Sequence, residues 1–309
     1  MTVKVVTDST ADLPPQLARE MGVSVVPVYL RFGEEVYRDG VDITGDEFYR
    51  KLVESPVHPS TSQPTPEDFA GVYRELSQET DEIVSIHVPQ KVSGACNSAL
   101  KGKEMAAAKS RIEVIDSLSV SMGLGLIVLA AARVAQTGAG LTEVAAEVKQ
   151  AISRTHIFGV FDTLKYLVRG GRIGKVKALL GSVLSVKPLI TMRDGELVPA
   201  GLARTRSKGI ERLVDFAAKA LSIEELAVVY STTLDEAGSL KERIAAVYDR
   251  ERIHLVRLGS ALGVHSGPGT LVLALRGKIS GAGELAKRGI PLPSLHIPKH
   301  IPRLKFAGI

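Results

Sequence analysis

The sequence predicts an α/β protein of two domains. Residues 1–154 form an N-terminal, mostly parallel sheet flanked by helices, residues 155–280 a C-terminal α+β domain, and residues 281–309 a Pro-rich basic tail. Three observations carry this. Short β-branched runs alternate with helical patterns through the first half, as strands joined by crossover helices do. After Thr155 the texture changes, and Arg193-Asp194-Gly195 between two apolar runs signals an antiparallel hairpin. Beyond Gly281, Pro291, Pro293, Pro298 and Pro302 break any regular element, with Lys and Arg interspersed.

The elements follow in order. Val3–Val6 is a strand, ended by Thr7-Asp8-Ser9-Thr10, and Asp12 or Thr10 can cap a helix over Pro14–Met21. Ser24–Leu30 is a second strand with Pro27 at an irregular or edge position, and Glu34–Tyr37 extends it as a small hairpin past Gly33. Thr44 caps a helix running to Glu54. Next comes Pro59-Ser60-Thr61-Ser62-Gln63-Pro64, three adjacent hydroxyls between two prolines. Proline fixes its own φ and pushes the preceding residue toward extended backbone, so this is a stiff, extended loop. Thr65 then reads as an N-cap, with Pro66 at the first helical position and Glu67 and Asp68 in the first turn of a helix to Ser77. Glu82–Val88 is a strand, Ser93–Ala108 a helix, Ile112–Ile115 a strand and Met122–Ala135 an apolar helix; a helix near Thr142–Ser153 closes the first domain.

In the second half Ile157–Phe161 is followed by a short helix over Asp162–Arg172 and another over Val176–Ser185. Lys187–Met192 and Glu196–Leu202 pair antiparallel. Lys208–Ala220 is a helix, Leu226–Tyr230 a strand and Leu234–Val247 a helix. The strands Ile253–Leu258 and Thr270–Arg276 flank a permissive, glycine-rich loop from Gly259 to Gly269.

Composition bounds the function. The chain has 309 residues, 45% hydrophobic and 24% charged, enough for a sizeable core. A net charge of +5 permits an anionic ligand, but the cations are scattered, aromatics are 5% and Trp is absent, so no stacking platform or basic stripe for nucleic acid is visible. Cys96 is the only cysteine, so no disulfide forms within the chain, which fits a reducing cytoplasm. The N-terminus runs straight into a strand without signal-peptide anatomy. The longest uncharged apolar stretch, Ser117 to Ala132, is 16 residues with three serines and two glycines; it reads as a buried helix rather than a membrane span. These readings point to a cytoplasmic protein with no transmembrane segment.

Ligand sites in open parallel sheets lie at the carboxyl ends of the strands. Here those ends carry Thr7-Asp8-Ser9-Thr10, Pro89-Gln90-Lys91-Val92-Ser93-Gly94 and Asp116-Ser117, rich in hydroxyls and poor in ionisable catalysts. A row of neutral donors beside a helix start suits an anion that is held and not cleaved. A solvated turn with a helix cap would explain Ser60–Ser62 alone; a second such segment at Ser93-Gly94 raises the binding reading. There Ser93 can cap and donate, and Gly94 permits close approach of a ligand to the first turn. His265 could complete a carboxylate-binding set with Thr61 and Ser93. Catalytic templates are missing: no G-x-S-x-G elbow, no Walker loop around Gly174-Lys175, and no His or Cys pair with metal-ligand spacing. Asp8 and Asp116 end two strands and read as helix caps or hydrogen-bond anchors. Arg169 and Arg172 beside glycines, and Arg204 and Arg206 in a second basic cluster, would suit a phosphate or an acidic partner surface.

Taken together these segments resemble the DegV family, bacterial fatty-acid-binding proteins that present acyl chains to a separate fatty acid kinase. The resemblance runs from Val3 to about Arg276. It rests on Thr7-Asp8-Ser9-Thr10-Ala11-Asp12-Leu13, Pro59–Pro64, Ser93-Gly94, Asp116-Ser117, Leu167-Val168-Arg169-Gly170-Gly171-Arg172-Ile173, Lys187-Pro188-Leu189-Ile190 and Gly263-Val264-His265-Ser266-Gly267-Pro268-Gly269. It implies a long-chain fatty acid buried between two domains as the ligand, with no catalytic residue, metal or other cofactor in this chain. The carboxylate would be held by Thr61 and Ser93, with His265 close by and Ser62 and the Gly94 amide as helpers. The fatty acid kinase catalytic subunit would be the partner. An acyl- or phosphoryl-transfer enzyme using Ser93 and His265 is the alternative. One segment departs from the pattern: the family's two serines and Ser-Gly-Thr-Tyr-Gln are here Pro89-Gln90-Lys91-Val92-Ser93-Gly94-Ala95-Cys96-Asn97, keeping only the central Ser-Gly.

Overall fold

The computed structural model describes residues 2–180 and 186–280. Its first half runs β1 (Lys4–Asp8), α1 (Pro15–Glu20), β2 (Val23–Val26), β3 (Tyr29–Phe32), β4 (Glu35–Arg38), α2 (Gly45–Glu54), β5 (Ser60–Ser62), α3 (Pro66–Leu76), β6 (Glu82–His87), α4 (Ala95–Ala106), β7 (Arg111–Asp116), α5 (Met122–Gln136) and α6 (Leu141–Arg154). The second half runs β8 (Thr155–Val160), α7 (Lys165–Arg169), β9 (Lys187–Arg193), β10 (Glu196–Ala203), α8 (Arg206–Ala218), β11 (Ala220–Tyr230), α9 (Leu234–Ile244), β12 (Ile253–Arg257), α10 (Ser260–Ser266) and β13 (Leu271–Ile279).

Three sheets result: parallel β2-β1-β6-β7, mixed β10-β9-β8-β13-β11-β12, and a small antiparallel β4-β3-β5. The central strands of the parallel sheet, β1 and β6, are buried on both faces, as a sheet covered on both sides requires. On one side Val6, Ile83 and Ile112 meet Phe69 and Tyr73 of α3 and Ala99 of α4. On the other Val5, Val84 and Ile86 meet Leu124, Ile127 and Val128 of α5 and Val144 of α6. The opposite side of α5 explains why that helix is apolar all round. Met122, Leu126 and Leu129 pack on Ile157, Val229 and Val272 of the six-stranded sheet, so α5 is sandwiched between two sheets. Helices α8 and α9 cover the far face of that sheet through Leu213, Phe216 and Leu240.

Several boundaries differ from the sequence expectation, each for a physical reason. Ser24–Leu30 is not one strand. It divides at Pro27, with β2 in the parallel sheet and β3 in the small one, because proline cannot carry a ladder through. Neither Thr10 nor Asp12 caps α1; Pro14 stands at that N-cap without a side-chain bond, while Asp8 caps the short turn Ser9–Ala11. The α4 helix begins at Ala95, with Gly94 and not Ser93 at the N-cap. Only Lys165–Arg169 of the expected helix Asp162–Arg172 is α-helical. Gly174–Leu179 is a 3-10 turn where a helix over Val176–Ser185 was expected; residues 181–185 and the tail 281–309 lie outside the described residues.

The largest correction concerns Gly259–Gly269, expected as a loop, in which Ser260–Ser266 forms a helix, α10, bracketed by Gly259 and Gly267. Gly263 sits mid-helix because a Cβ there would come within 2.6 Å of the Phe48 ring and 2.8 Å of Tyr49 Oη, so its absence lets α10 lie tight on α2. Two buried aspartates from the first half hold the start of α10. Asp12 accepts from the Gly259 N–H at 3.0 Å, and Asp39 accepts from Ser9 Oγ at 2.9 Å and from the backbone of Ser260 and Ala261.

Candidate functional site

A cavity of about 310 Å³ lies where the first-half loops meet the six-stranded sheet and α10. Its wall includes Val28, Val120, Ile157, Phe161, Leu167 and Val272, an apolar surface drawn from both halves of the chain. Its polar side includes Thr61, Ser62, Gln63, Ser93, Arg172 and His265.

Local sequence sets each polar position. Ser60–Ser62 is a true strand, β5, pairing Leu30 with Thr61 and Tyr29 with Ser62. It is stiff for a further reason than its prolines, because it is tied into a ladder. The turn that follows is closed by Thr65, whose Oγ1 accepts from the Asp68 N–H at 3.2 Å while Asp68 Oδ2 accepts from the Thr65 N–H at 2.7 Å, a reciprocal capping box. Ser93 follows β6, and its Oγ accepts from the Ala95 N–H at 3.3 Å. Gly94 has a role the sequence did not disclose. A Cβ there would come within 2.2 Å of Gln63 Oε1, so the missing side chain makes room for the Gln63 carboxamide, whose Nε2 donates to Ser98 Oγ at 3.3 Å.

Thr61 Oγ1 lies 2.8 Å from His265 Nε2, joining residues 204 apart in sequence. The imidazole packs on Gly170: a Cβ on that glycine would come within 2.0 Å of His265 Nδ1. Nδ1 is buried without a hydrogen-bond partner. Burial, then the positive charge of Arg172 and the neighbouring His58, push the imidazole pKa down to about 4, so the ring is neutral near pH 7. His58, which the sequence reading passed over, lies against Tyr166 with ring centroids 5.8 Å apart and the planes tilted by 47°; burial, then Arg169 and Lys165, lower its pKa.

The cations separate into two kinds. Arg172 stands at the cavity rim, exposed, its guanidinium donating to Gly170 O at 2.8 Å and Val92 O at 3.3 Å. Arg169 and Arg204 are exposed. Arg206 is not a free surface cation. Its side chain is 18% exposed, donates to Glu236 at 2.7 Å and to Gly269 O at 2.6 Å, and joins α8 to α9. Lys91, the basic newcomer in the Ser93 segment, lies 3.8 Å from Glu196 across the rim.

A second polar group resembles catalytic machinery but is closed to solvent. Tyr73 Oη lies 2.7 Å from Ser85 Oγ, Ser85 Oγ 2.7 Å from His87 Nε2, and His87 Nδ1 3.0 Å from Asp8 Oδ2. Asp8 also accepts from the Val88 N–H at 3.2 Å and from Thr10 Oγ1 at 2.5 Å. Burial alone would raise the Asp8 pKa; the bond and charge of His87, with Thr10 and Val88, outweigh it and hold the carboxyl below its ordinary range. Asp8, Ser85 and His87 are all fully buried. Asp116 is likewise an anchor, accepting from the N–H groups of Gln90 and Leu118. Burial raises the pKa of the Cys96 thiol, which disfavours the nucleophilic thiolate. Among the described residues no cluster could hold a metal ion, and no helix is long and apolar enough to cross a membrane.

Comparison with known proteins adds to this. A family model described as "Uncharacterised protein, DegV family" matches residues 2–278. A DegV domain-containing protein of Caldanaerobacter subterraneus subsp. tengcongensis is 34% identical over 269 residues, 86% of this chain and 95% of that protein. A solved DegV family protein from Thermus thermophilus, described by its fatty acid binding, superposes with a TM-score of 0.83 at 36% identity, covering 90% of this chain and all of the other. A stearic-acid-binding protein from Eubacterium ventriosum superposes with a TM-score of 0.79 at 28% identity, covering 89% of this chain and 98% of that one.

Proposed function

This chain belongs to the DegV family, and on that premise we propose that it binds a long-chain fatty acid in the cavity between its two halves and presents the carboxylate to a separate fatty acid kinase, acting in the cytoplasm without catalysing a reaction itself. The observation that carries the reading is the cavity's division: an apolar wall from two sheets, and at one side Thr61, Ser62 and Ser93 with a neutral histidine. Relatives of similar fold bind fatty acids, one of them stearic acid.

The physics of such a site is coherent. Each buried CH₂ of an acyl chain contributes about 0.8 kcal/mol, so the apolar wall supplies most of the affinity. A buried carboxylate needs donors, and hydroxyls provide them without the salt bridge that would lock the headgroup. His265 acts through Thr61. A neutral imidazole carries one proton; we assign it to Nε2, donated to Thr61 Oγ1, because the other tautomer would leave an N–H at Nδ1 buried without an acceptor. That leaves the Thr61 hydroxyl proton free for the carboxylate. Ser93 Oγ and the Gly94 amide complete the donor set from the start of α4, with Ser62 beside them. Exposed Arg169 and Arg172, with Arg204 as a further contact, are the cations offered to the kinase; Arg206 is withdrawn from that role by its ion pairs.

The enzyme alternative needs His265 to activate Ser93. Instead the described contacts pair His265 with Thr61 and Ser93 with Ala95, and nothing favours it. Denaturing mass spectrometry of the purified protein tests the reading. Release of an intact long-chain fatty acid is expected; a covalent adduct on Ser93, or no retained or rebindable fatty acid, would overturn it.

A further inference from the structure

Two buried carboxyl groups join three segments of the cavity wall. Asp12, after β1, is 8% exposed, and Asp39, after β4, is 6% exposed. Asp12 Oδ1 accepts from the Gly259 N–H at 3.0 Å, where the chain enters α10, and Asp12 Oδ2 lies 2.5 Å from Ser121 Oγ at the start of α5. Asp39 accepts from Ser9 Oγ at 2.9 Å, next to Thr10, and takes bonds from the backbone of Ser260 and Ala261 and from the Ser260 hydroxyl in the first turn of α10. Thr10, Ser121 and Ala261 all belong to the wall. The same short helix carries His265 in its last turn, against Thr61.

The two carboxyl groups also face each other. A Cβ on Gly259 would come within 2.5 Å of Asp12 Oδ1 and 3.7 Å of Asp39 Oδ2. Like charges so close in a buried site do not both persist. Asp39 has the more donors and keeps the charge; Asp12 has fewer and takes the proton. Burial, reinforced by the charge of Asp39, holds the Asp12 carboxyl well above the ordinary carboxylate range, against its bonds to Ser121 and Gly259. Burial raises Asp39 too, opposed by Ser9, Ala261 and Ser260. As an acid, Asp12 donates from Oδ2 to Ser121 Oγ, and a hydroxyl accepts as readily as it donates. The charged groups around the pair are engaged elsewhere. Asp8 holds His87, and Arg257, over the Tyr49 ring at 5.2 Å, pairs with Asp46. Tyr49 Oη donates to Leu258 O at 3.2 Å. We propose that Asp12, as a neutral acid, and Asp39, as a carboxylate, are positioning residues for the headgroup site: together they fix α10 and so hold His265 against Thr61. The inference rests on the fatty-acid reading above.

The test measures hexadecanoate affinity by isothermal titration at pH 7 on the full chain. Asp12→Ala and Asp39→Asn are each expected to weaken binding about tenfold, the loss of one hydrogen bond at the headgroup. Asp12→Asn supplies a carbonyl and an N–H where the acid has a carbonyl and an O–H, and Asn tolerates the φ of 52° at this position. It is expected to recover binding to within about threefold of the natural protein. Should Asp39→Asn not fold, Ser260→Ala, which removes one of its donors, takes its place, with a loss of about threefold expected. Chemical denaturation reads the proton separately. A carboxyl protonated in the fold and ionised in the unfolded chain makes the natural protein lose stability as pH rises above 3.8. Asp12→Asn lacks that loss, so its stability relative to the natural protein should rise from pH 4.5 to pH 7. A constant difference, or an Asn variant that binds as weakly as the Ala variant, overturns the neutral-acid assignment. Natural affinity in Asp12→Ala and in Asp39→Asn or its substitute overturns the positioning role and leaves the fatty-acid reading standing. If hexadecanoate does not bind the natural protein, the fatty-acid reading falls and takes the positioning role with it.

Discussion

Two buried histidines divide this molecule. His87 lies under the parallel sheet with both ring nitrogens bonded, one to Asp8 and one to Ser85, and with no access from solvent. His265 lies at the cavity with one nitrogen on Thr61 and the other unpaired. Written as a list, Asp8, His87 and Ser85 look more like a reaction centre than Thr61, Ser93 and His265 do. Geometry reverses that order. A polar chain satisfied on every side and sealed in the core orders the fold. A set left incomplete at the wall of a cavity is where a ligand completes it.

Four measurements sharpen or break this contrast, from the largest expected effect downward. Asp8→Ala leaves His87, the Val88 N–H and Thr10 without their acceptor in the core. It should cost about 3–5 kcal/mol, a fall in melting temperature on the order of 10 °C. A melting temperature within a degree or two of the natural protein would remove the structural role assigned to the buried chain. Thr61→Ala removes the hydroxyl proposed to meet the carboxylate; fatty-acid affinity should fall roughly 10- to 100-fold, as for a hydrogen bond to a charged group, and the loss of the His265 Nε2 partner should cost about 1–3 kcal/mol of stability, less than Asp8→Ala. Ser93→Ala should weaken binding about tenfold, since Ser93 also closes the turn at Ala95. Unchanged affinity in both variants, measured by titration, would sink the donor assignments.

The last measurement reads stability instead of affinity and concerns pH. The His265 pKa is depressed from 6.5 to about 4 in the fold, first by burial and then by Arg172 and His58. Between those values the unfolded chain binds a proton that the native state refuses. The stability tied to the neutral ring is therefore full above about pH 6.5 and is lost as pH falls toward 4. His265→Gln should lose less stability than the natural protein between pH 7 and pH 4.5 in chemical denaturation. Equal losses would mean that the ring titrates normally.

How much of this was legible in the sequence follows from how local each signal is. The N-cap at Thr65, the Asp194-Gly195 hairpin and the apolar helix α5 are written in neighbouring residues, and the structure has them. The division at Pro27 needed knowledge of which sheet each flank would join. The helix at Ser260–Ser266 was hidden because its glycines read as loop signals, whereas Gly263 serves packing against Phe48 and Tyr49, far earlier in the chain. The Asp8–His87 bond and the Thr61–His265 contact span 79 and 204 residues, beyond any periodicity. Arg206 looked like a surface cation because Glu236, its partner, is 30 residues away. Thr61, Ser93 and His265 could be proposed from residue chemistry, but their meeting on one cavity required the fold.

A crystal structure of the protein with a long-chain fatty acid bound tests the central claim most directly. The account predicts the acyl chain in the cavity along Ile157, Phe161 and Val272, with a carboxylate oxygen within hydrogen-bond distance of Thr61 Oγ1 and of Ser93 Oγ, and His265 Nε2 still on Thr61. A carboxylate at the opposite end of the cavity, or a chain lying outside it, would contradict the account.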